Sequence, residues 1–595
     1  MRALRQAITN RFNLESLRMD AARTDSLVPL SMLALLAGLL TGLVIVLFRL
    51  FTERTLVWIG FMNDAENFEA LSWQWRLGLP VAGGLLIGLL FHWAPAAMRQ
   101  VGPIHVMTRL AYHGGRLPLI NALVQFVSAS IAIMSGHSVG REGPVIHMGA
   151  TSASLLGQWM RLPNNSIRTL VSAGIAAAIA ASFNTPIAGV VFAMEVVMFE
   201  YTLVGFAPII IAAVSATTVS RLVFGEAPAI FVPSFQLGSL LELPWVVFLG
   251  LVISCLGAAY VYGVTTVERR SASIPIWARI TLAGLVTGLV ALVVPEVMGL
   301  GYDTAQGAMI GKFELLALIT IAIAKLGTTI ACGGLGVPAG LIGPMVVIGA
   351  TAGGALGNIG GMMVDTSVSS PAFYATLGVV AMMGACLHAP LAAIMAILEL
   401  TANPNTILPG MVAVITAFLM SRIIFRQEPL FIAILSLRGV DYRFDPIALA
   451  LERTGVRAVM SRRFMAIEAE VAEFERVQSL DNQPDWVMLA EGRDILAVWS
   501  ASEFAKLETR APAPEAETEG ETEDAEIAAP VANLPVEGPP FTTVSLHATL
   551  REALAQLDKA KANIVLVADT GMPRRHMIRG IISREQIEST VRYRA

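Results

Sequence analysis

Between Val28 and Phe425 charge is sparse, and few ionisable side chains stand deep in apolar context. Arg141 and Glu142 occur in Gly140-Arg141-Glu142-Gly143-Pro144, Lys325 lies within an apolar run, and Glu195 and Glu399 close two others. The Gly-Pro step after Glu142 opens a helix, since proline suits the first turn. A helix start carries orphan N–H donors and partial positive charge, and so attracts an anion. A carboxylate at that mouth has two readings. Glu142 complements the helix dipole, or it occupies the anion position itself as a gate. Ionisable residues inside a membrane are functional by default, which favours the gate. A cation path would need a ring of carboxylates, which Glu142, Glu195 and Glu399 do not make.

These residues recur in a repeat. Residues 135–157, SGHSVGREGPVIHMGATSASLLG, match 332–357, CGGLGVPAGLIGPMVVIGATAGGALG. Gly143-Pro144 pairs with Gly343-Pro344 and Gly149-Ala150-Thr151 with Gly349-Ala350-Thr351, both at an offset of 200. Gly174, Pro186 and Glu195 then pair with Gly378, Pro390 and Glu399 at an offset of 204. Chance similarity of Gly/Ala-rich helices does not keep five correspondences in order. Arg161 and Arg168 follow the first copy, whereas Asp365 and no basic residue follow the second. The positive-inside rule puts the first loop in the cytosol and the second outside. The copies are therefore inverted, with two Gly-Pro helix starts meeting near the midplane.

Composition sets the surroundings. The 595 residues are 55 % apolar and 14 % charged, with net charge −4 and mean hydropathy +0.66. Soluble domains carry about 25 % charge, so a purely soluble, disordered or collagen-like chain is excluded. About fourteen apolar runs lie between Val28 and Phe425. The runs 28–51, 77–95, 203–222, 243–265, 276–297 and 409–425 approach the roughly 20 residues of a span. The runs 145–157, 187–198, 340–351 and 390–401 read as short helices broken by Gly or Pro. Residues 1–27 place Leu4, Ile8, Phe12 and Leu17 at helical spacing among Arg2, Arg5, Arg11, Arg18 and Arg23, which predicts a cytosolic amphipathic surface helix. Cys255, Cys332 and Cys386 lie in apolar stretches without metal-ligand spacing, so no disulfide or metal is expected. His137, His147 and His388 read as bundle histidines; His137 and His147 flank Glu142, close enough in sequence to tune it. Lys325 either lines a vestibule or is buried against a carbonyl or carboxylate.

Gly140-Arg141-Glu142-Gly143-Pro144 resembles the GREGP signature of the CLC chloride channel and transporter family. Gly340-Leu341-Ile342-Gly343-Pro344 resembles its GxFxP motif, and Glu428-Pro429-Leu430-Phe431 the segment that brings a central tyrosine to the anion. The resemblance covers about residues 28–445 and implies a homodimer with one pore per subunit, and an inverted repeat of roughly eighteen helices. It implies a gating role for Glu142, backbone amides of Leu341 and Ile342 around a central anion, and that of Gly143 at an outer one; Arg141 joins the anion-binding set. Two departures weaken the central site. Gln100-Val101-Gly102-Pro103 stands where the family has a serine, leaving Val101 or Pro103 at that place, and Phe431 replaces the tyrosine. Each lost hydroxyl is worth about 0.5–1.5 kcal/mol. A third departure concerns protons. The relay glutamate of family exchangers falls on Val196.

Beyond Phe431 the chain turns polar, with Arg438, Arg443, Arg453, Arg457, Arg462 and Arg463 after the last span, so the C-terminus is expected in the cytosol. Residues 446–509 and 541–595 form two short α/β units resembling a tandem CBS pair. Ser500-x-x-Glu503 and Ser583-x-x-Gln586 stand where nucleotide-binding pairs have Ser/Thr-x-x-Asp; a structural role is favoured over adenine nucleotide. Residues 510–540 hold seven acids within 515–526 and read as a disordered insertion. No basic patch with aromatics suggests nucleic acid.

The expectation is thus a polytopic all-α membrane protein with an inverted repeat (halves about 28–225 and 240–430) and a small cytosolic α/β domain. The leading function is passive anion conduction, chloride by default, through a pore gated by Glu142 in the cell (inner) membrane. The alternative is proton-coupled exchange. A CBS-regulated magnesium channel is disfavoured by the carboxylate-poor middle. An intramembrane enzyme using Ser135 and His137 lacks an orienting third group.

Overall fold

The computed structural model describes residues 27–58, 61, 66–199, 203–226, 237–363, 369–440, 442, 451–452, 454–468, 484–508, 538–569 and 575–592. The expected N-terminal surface helix, nearly all of the acidic insertion and Asp365 lie outside them. Two compact units are present, one from Leu27 to Arg443 without 161–166, the other in the C-terminal region.

The membrane unit repeats an order of eight helices. The first set is α1 Leu27–Trp58, α2 Trp73–Trp93, α3 Gly102–Tyr112, α4 Leu119–Met134, α5 Glu142–Trp159, α6 Asn164–Phe183, α7 Pro186–Phe192 and α8 Leu203–Phe224. The second is α9 Leu243–Ser271, α10 Ile276–Ala291, α11 Tyr302–Met309, α12 Leu315–Gly334, α13 Ile342–Met363, α14 Pro371–Leu387, α15 Pro390–Thr401 and α16 Ile407–Leu419. A short α17, Leu430–Leu437, follows. Among the described residues, eight helical segments are long and apolar enough to span a membrane. Two expectations change. The run at 276–297 yields only α10, which ends at Ala291. The second copy, read as a short helix over 340–351, continues to Met363. Its glycines do not break it but admit a neighbour: a Cβ at Gly349 would lie 2.6 Å from the Gly378 carbonyl oxygen of α14. Small residues let membrane helices approach in this way. The equivalent pair in the first copy, Gly149 and Gly174, is as close, at 2.4 Å.

The halves clasp each other through reciprocal contacts. Gly140 N–H donates to Gly340 O at 2.7 Å and Gly340 N–H to Gly140 O at 2.6 Å, an antiparallel bridge. The Glu195 carboxylate accepts from Leu391 and Ala392 N–H at 3.2 and 2.7 Å, at the start of α15. The Glu399 carboxylate accepts from Ile187 and Ala188 N–H at 2.9 and 2.7 Å, at the start of α7. Each repeat thus supplies the anion that caps the other's helix start, which satisfies orphan donors. This symmetry accounts for two deep acids without placing them in a conduction path.

The C-terminal unit holds two three-stranded sheets. In the first, β1 Phe464–Glu468 pairs parallel with β2 Trp486–Glu491, which pairs antiparallel with β3 Asp494–Ser500. In the second, β4 Phe541–Ser545, β5 Ile564–Ala568 and β6 Ile578–Ser583 repeat that pattern. Trp486, Met488 and Val498 share a core with Ile564, Leu566 and Ile581, which packs one sheet on the other. Helices follow β3 (α18, Ala501–Glu508), β4 (α19, Leu550–Ala560) and β6 (α20, Arg584–Arg592). Thr549 and Glu552 form a capping box at the start of α19.

Candidate anion pathway at the meeting of the repeats

Glu142 is the first residue of α5 and is 3 % exposed. Its carboxylate lies on the Gly140–Gly340 bridge. A Cβ at Gly140 would stand 2.0 Å from Oε2, one at Gly340 2.6 Å from Oε2, and one at Gly343 2.8 Å from Oε1. Only glycine at these three places leaves room for the carboxylate between the starts of α5 and α13. Such a position, at the starts of two helices, is where a small anion would be held. Glu142 Oε1 accepts a hydrogen bond from Tyr302 Oη at 2.5 Å; Oε2 is buried and has no hydrogen-bond partner among the described residues.

Tyr302 opens α11 and is 4 % exposed. Sequence reading missed it, yet a signal exists. Carrying the offset of 200 back along the chain pairs Gly102, the first residue of α3, with Tyr302. The two helix starts are equivalent in the repeat, and one of them bears the donor that holds the Glu142 carboxylate.

Arg141, expected among the anion contacts, is turned elsewhere. Its Nη1 donates to Glu53 Oε1 at 2.5 Å and its Nη2 to Ser182 O at 3.0 Å. The guanidinium lies 5.1 Å from the Tyr302 ring centre and 5.2 Å from that of Phe183. Glu53 also receives Arg49 Nε at 3.0 Å. Arg141 therefore backs the residue that holds the Glu142 carboxylate. Removing one partner of a buried ion pair costs about 3–5 kcal/mol. Glu53 is 25 % exposed, which softens this, so Glu53→Ala is expected to destabilise by about 2 kcal/mol. Thermal melts of the purified protein check it, and an unchanged midpoint would refute it.

On one side of the carboxylate is a chamber of about 70 Å³, lined by Glu142, Tyr302 and Thr185 and otherwise by apolar groups including Phe183, Phe192, Ile342 and Ala392. A vestibule of about 350 Å³ adjoins Gly143 and Gly340. Its lining brings together Val101, Gly102, Pro103, Gly143, Leu341 and Phe431. Ile342 lines the chamber instead. Tyr260 Oη donates to Leu341 O at 2.8 Å and Gln125 Nε2 to Pro338 O at 2.7 Å, which pins the loop before α13. No hydroxyl stands at 101, 103 or 431.

The remaining candidates resolve as packing. Lys325 donates to Val297 O and Gly299 O at 3.0 and 3.1 Å and is fully buried, so it does not line a vestibule. His147 Nε2 and His105 Nδ1 are 3.1 Å apart, His137 Nδ1 meets Ser135 Oγ at 2.9 Å, and His388 Nε2 meets Ser421 Oγ at 3.2 Å. None of these four histidines is hydrogen-bonded to Glu142 among the described residues. Val196 is 2 % exposed within a π-helical turn, Ala193–Met198. All three cysteines are free thiols. Ser500 and Glu503 bond each other as a helix cap, as do Ser583 and Gln586.

Beside Tyr302, Asp303 N–H donates to Glu66 Oε2 at 3.3 Å. Glu66 lies in the connection between α1 and α2, outside both spans. Burial, then the like charge of Asp303, pushes its carboxyl up to about 7 from 4.5. The folded chain thus holds this proton more tightly than the unfolded one. The stabilisation is complete below the unfolded value and is lost as pH rises through about 7. Glu66→Gln is expected to flatten the fall in melting temperature between about pH 5 and pH 8; an equal slope in both proteins refutes it.

Residues 83–422 match the sequence profile of the voltage gated chloride channel family. A ClcB-like chloride channel protein of Ralstonia nicotianae is 32 % identical over 356 residues, 59 % of this chain and 83 % of that protein. An H⁺/Cl⁻ exchange transporter, ClcA, of Vibrio cholerae is 29 % identical over 313 residues, 51 % of this chain and 67 % of its own. A solved slow cyanobacterial Cl⁻/H⁺ antiporter shares the fold, with TM-score 0.62, 22 % identity and coverage of 70 % of this chain and 98 % of that one.

Proposed function

Because the chain belongs to the voltage gated chloride channel family, an assembly of multi-pass anion transporters rather than enzymes, we propose that it exchanges chloride for protons, with Glu142 blocking the anion and carrying the proton. The observation that carries this reading is the Glu142 carboxylate seated on the Gly140–Gly340 bridge, where Glu142 lines the chamber and Gly340 the vestibule. An anion and this carboxylate compete for the same place between the starts of α5 and α13. Protonation removes the competing charge, so the arriving anion and the arriving proton release the same block.

Val196 alone favours passive conduction, and that preference is revised. The ClcA relative is named as an exchange transporter, and the chamber beside Glu142 has room for a few waters. A water chain, with Glu142 and the Tyr302 and Thr185 hydroxyls as its polar partners, replaces a second carboxylate in this reading.

The basic residues Arg161, Arg168, Arg462 and Arg463 support cytosolic termini and a vestibule facing the cytosol. A second copy docks on the face of α7 and α15, where Ile187 and Leu391 are 52 % and 48 % exposed. The C-terminal unit is a CBS-like pair in a structural role. Its Ser500 and Ser583 are engaged in helix caps rather than displayed to a nucleotide. Calorimetry with ATP, ADP and AMP tests that assignment, and heat with any of them overturns it.

Proteoliposomes decide the main reading. An imposed chloride gradient is expected to drive protons uphill. Chloride flux with no proton movement would return the protein to passive conduction, and cation flux would reject both.

A further inference from the structure

We propose that the vestibule holds an anion-binding site built on Arg279 and matched to planar oxyanions such as nitrate. The inference deepens the anion-transport reading and rests on it. Arg279 stands in the first turn of α10, the positive end of that helix, where a cation is unfavourable. No helix-stabilising role therefore explains it. Nor does a partner: no ion pair or hydrogen bond from its guanidinium is present among the described residues, and its Nε is buried without an acceptor.

The neighbours leave it in that state. Glu268 is the acid of the vestibule lining, and its Oε1 is taken by Arg438 Nε at 2.8 Å. Arg99 donates to Ala94 O and His92 O at 2.8 and 3.0 Å. The vestibule lining thus holds three guanidinium groups and one carboxylate, and Arg279 is the one of the three with none of its donors bonded among the described residues. Gly336 makes the approach possible. A Cβ there would lie 3.0 Å from Arg279 Nη2, so the guanidinium sits against the loop that leads to Leu341 and the start of α13.

The geometry selects the ligand class. A guanidinium is a planar fork that pairs two N–H groups with two coplanar oxygens, which a trigonal oxyanion offers and a halide does not. The hydroxyl donors that would suit a single round anion are missing at Val101, Pro103 and Phe431. Arg279 supplies side-chain donors to the same vestibule lining.

The test compares potassium nitrate with potassium chloride on the full chain, by titration of the purified protein and by flux in proteoliposomes. Arg279→Lys keeps the charge and loses the fork. It is expected to lower the nitrate-to-chloride affinity ratio roughly tenfold, the worth of one strong charge-assisted pair. Arg279→Gln weakens both anions, nitrate more. Equal losses for nitrate and chloride in Arg279→Lys, or no loss in Arg279→Gln, overturn the site. If Arg279→Gln does not fold, Arg279→Lys decides alone. Failure of the underlying reading looks different: the unaltered protein then moves neither anion.

Discussion

Glu142→Gln is expected to abolish chloride-driven proton movement while chloride flux continues at or above its former rate. The side chain keeps its size, so the three glycine contacts at 140, 340 and 343 still accept it. It loses the charge that competes with the anion, and it cannot be protonated at any working pH. Anion flux should lose its pH dependence together with the coupling. The measurement is proton and chloride flux in the same vesicles. Persistent proton movement would show that another group carries the proton; loss of both fluxes would show that the carboxylate is needed to keep the site folded.

Tyr302→Phe is expected to free the gate without removing it. The ring remains, against the Arg141 guanidinium and the edge of Phe183 at 5.9 Å. The 2.5 Å donor to Glu142 Oε1 goes. A hydrogen bond to a charged group contributes about 1.5–3 kcal/mol, or roughly tenfold to a hundredfold in the occupancy of the blocked state. Chloride turnover should rise until another step limits it. The double substitution supplies the control, since neighbours that share an interaction are non-additive. In the Glu142→Gln background the bond is between neutral groups, so the added effect of Tyr302→Phe should shrink to a few-fold. An equal effect in both backgrounds would assign Tyr302 a purely packing role.

These two variants mark the boundary of what was legible. Glu142 stood out because a carboxylate between two glycines and a proline, inside an apolar span, has few uses. The partner of the motif was also legible, because the repeat offset places Gly340 and Gly343 opposite Gly140 and Gly143. Tyr302 was not, although the offset reaches it from Gly102. A tyrosine at the end of an apolar stretch signals nothing until α11 is brought against α5. Arg141 shows the opposite failure. Its neighbourhood in sequence suggested the anion, but its partner is Glu53, 88 residues earlier. Glu195 and Glu399 were visible as deep acids at matched positions. That each caps the other repeat became visible only with both helix starts in place.

Composition and short-range order alone thus determined a membrane protein, an inverted repeat, two opposed helix starts and a charged residue at one of them. Those properties depend on residue type and local spacing, which a one-dimensional chain carries. The tertiary structure decided which donor holds the carboxylate, which way Arg141 turns, and that Arg279 stands unpaired among the described residues of the vestibule. Each of these depends on the rotation and depth of helices packed across the repeat axis. Shifts of one or two ångströms there exchange one hydrogen-bond partner for another, and no local pattern in the chain encodes them.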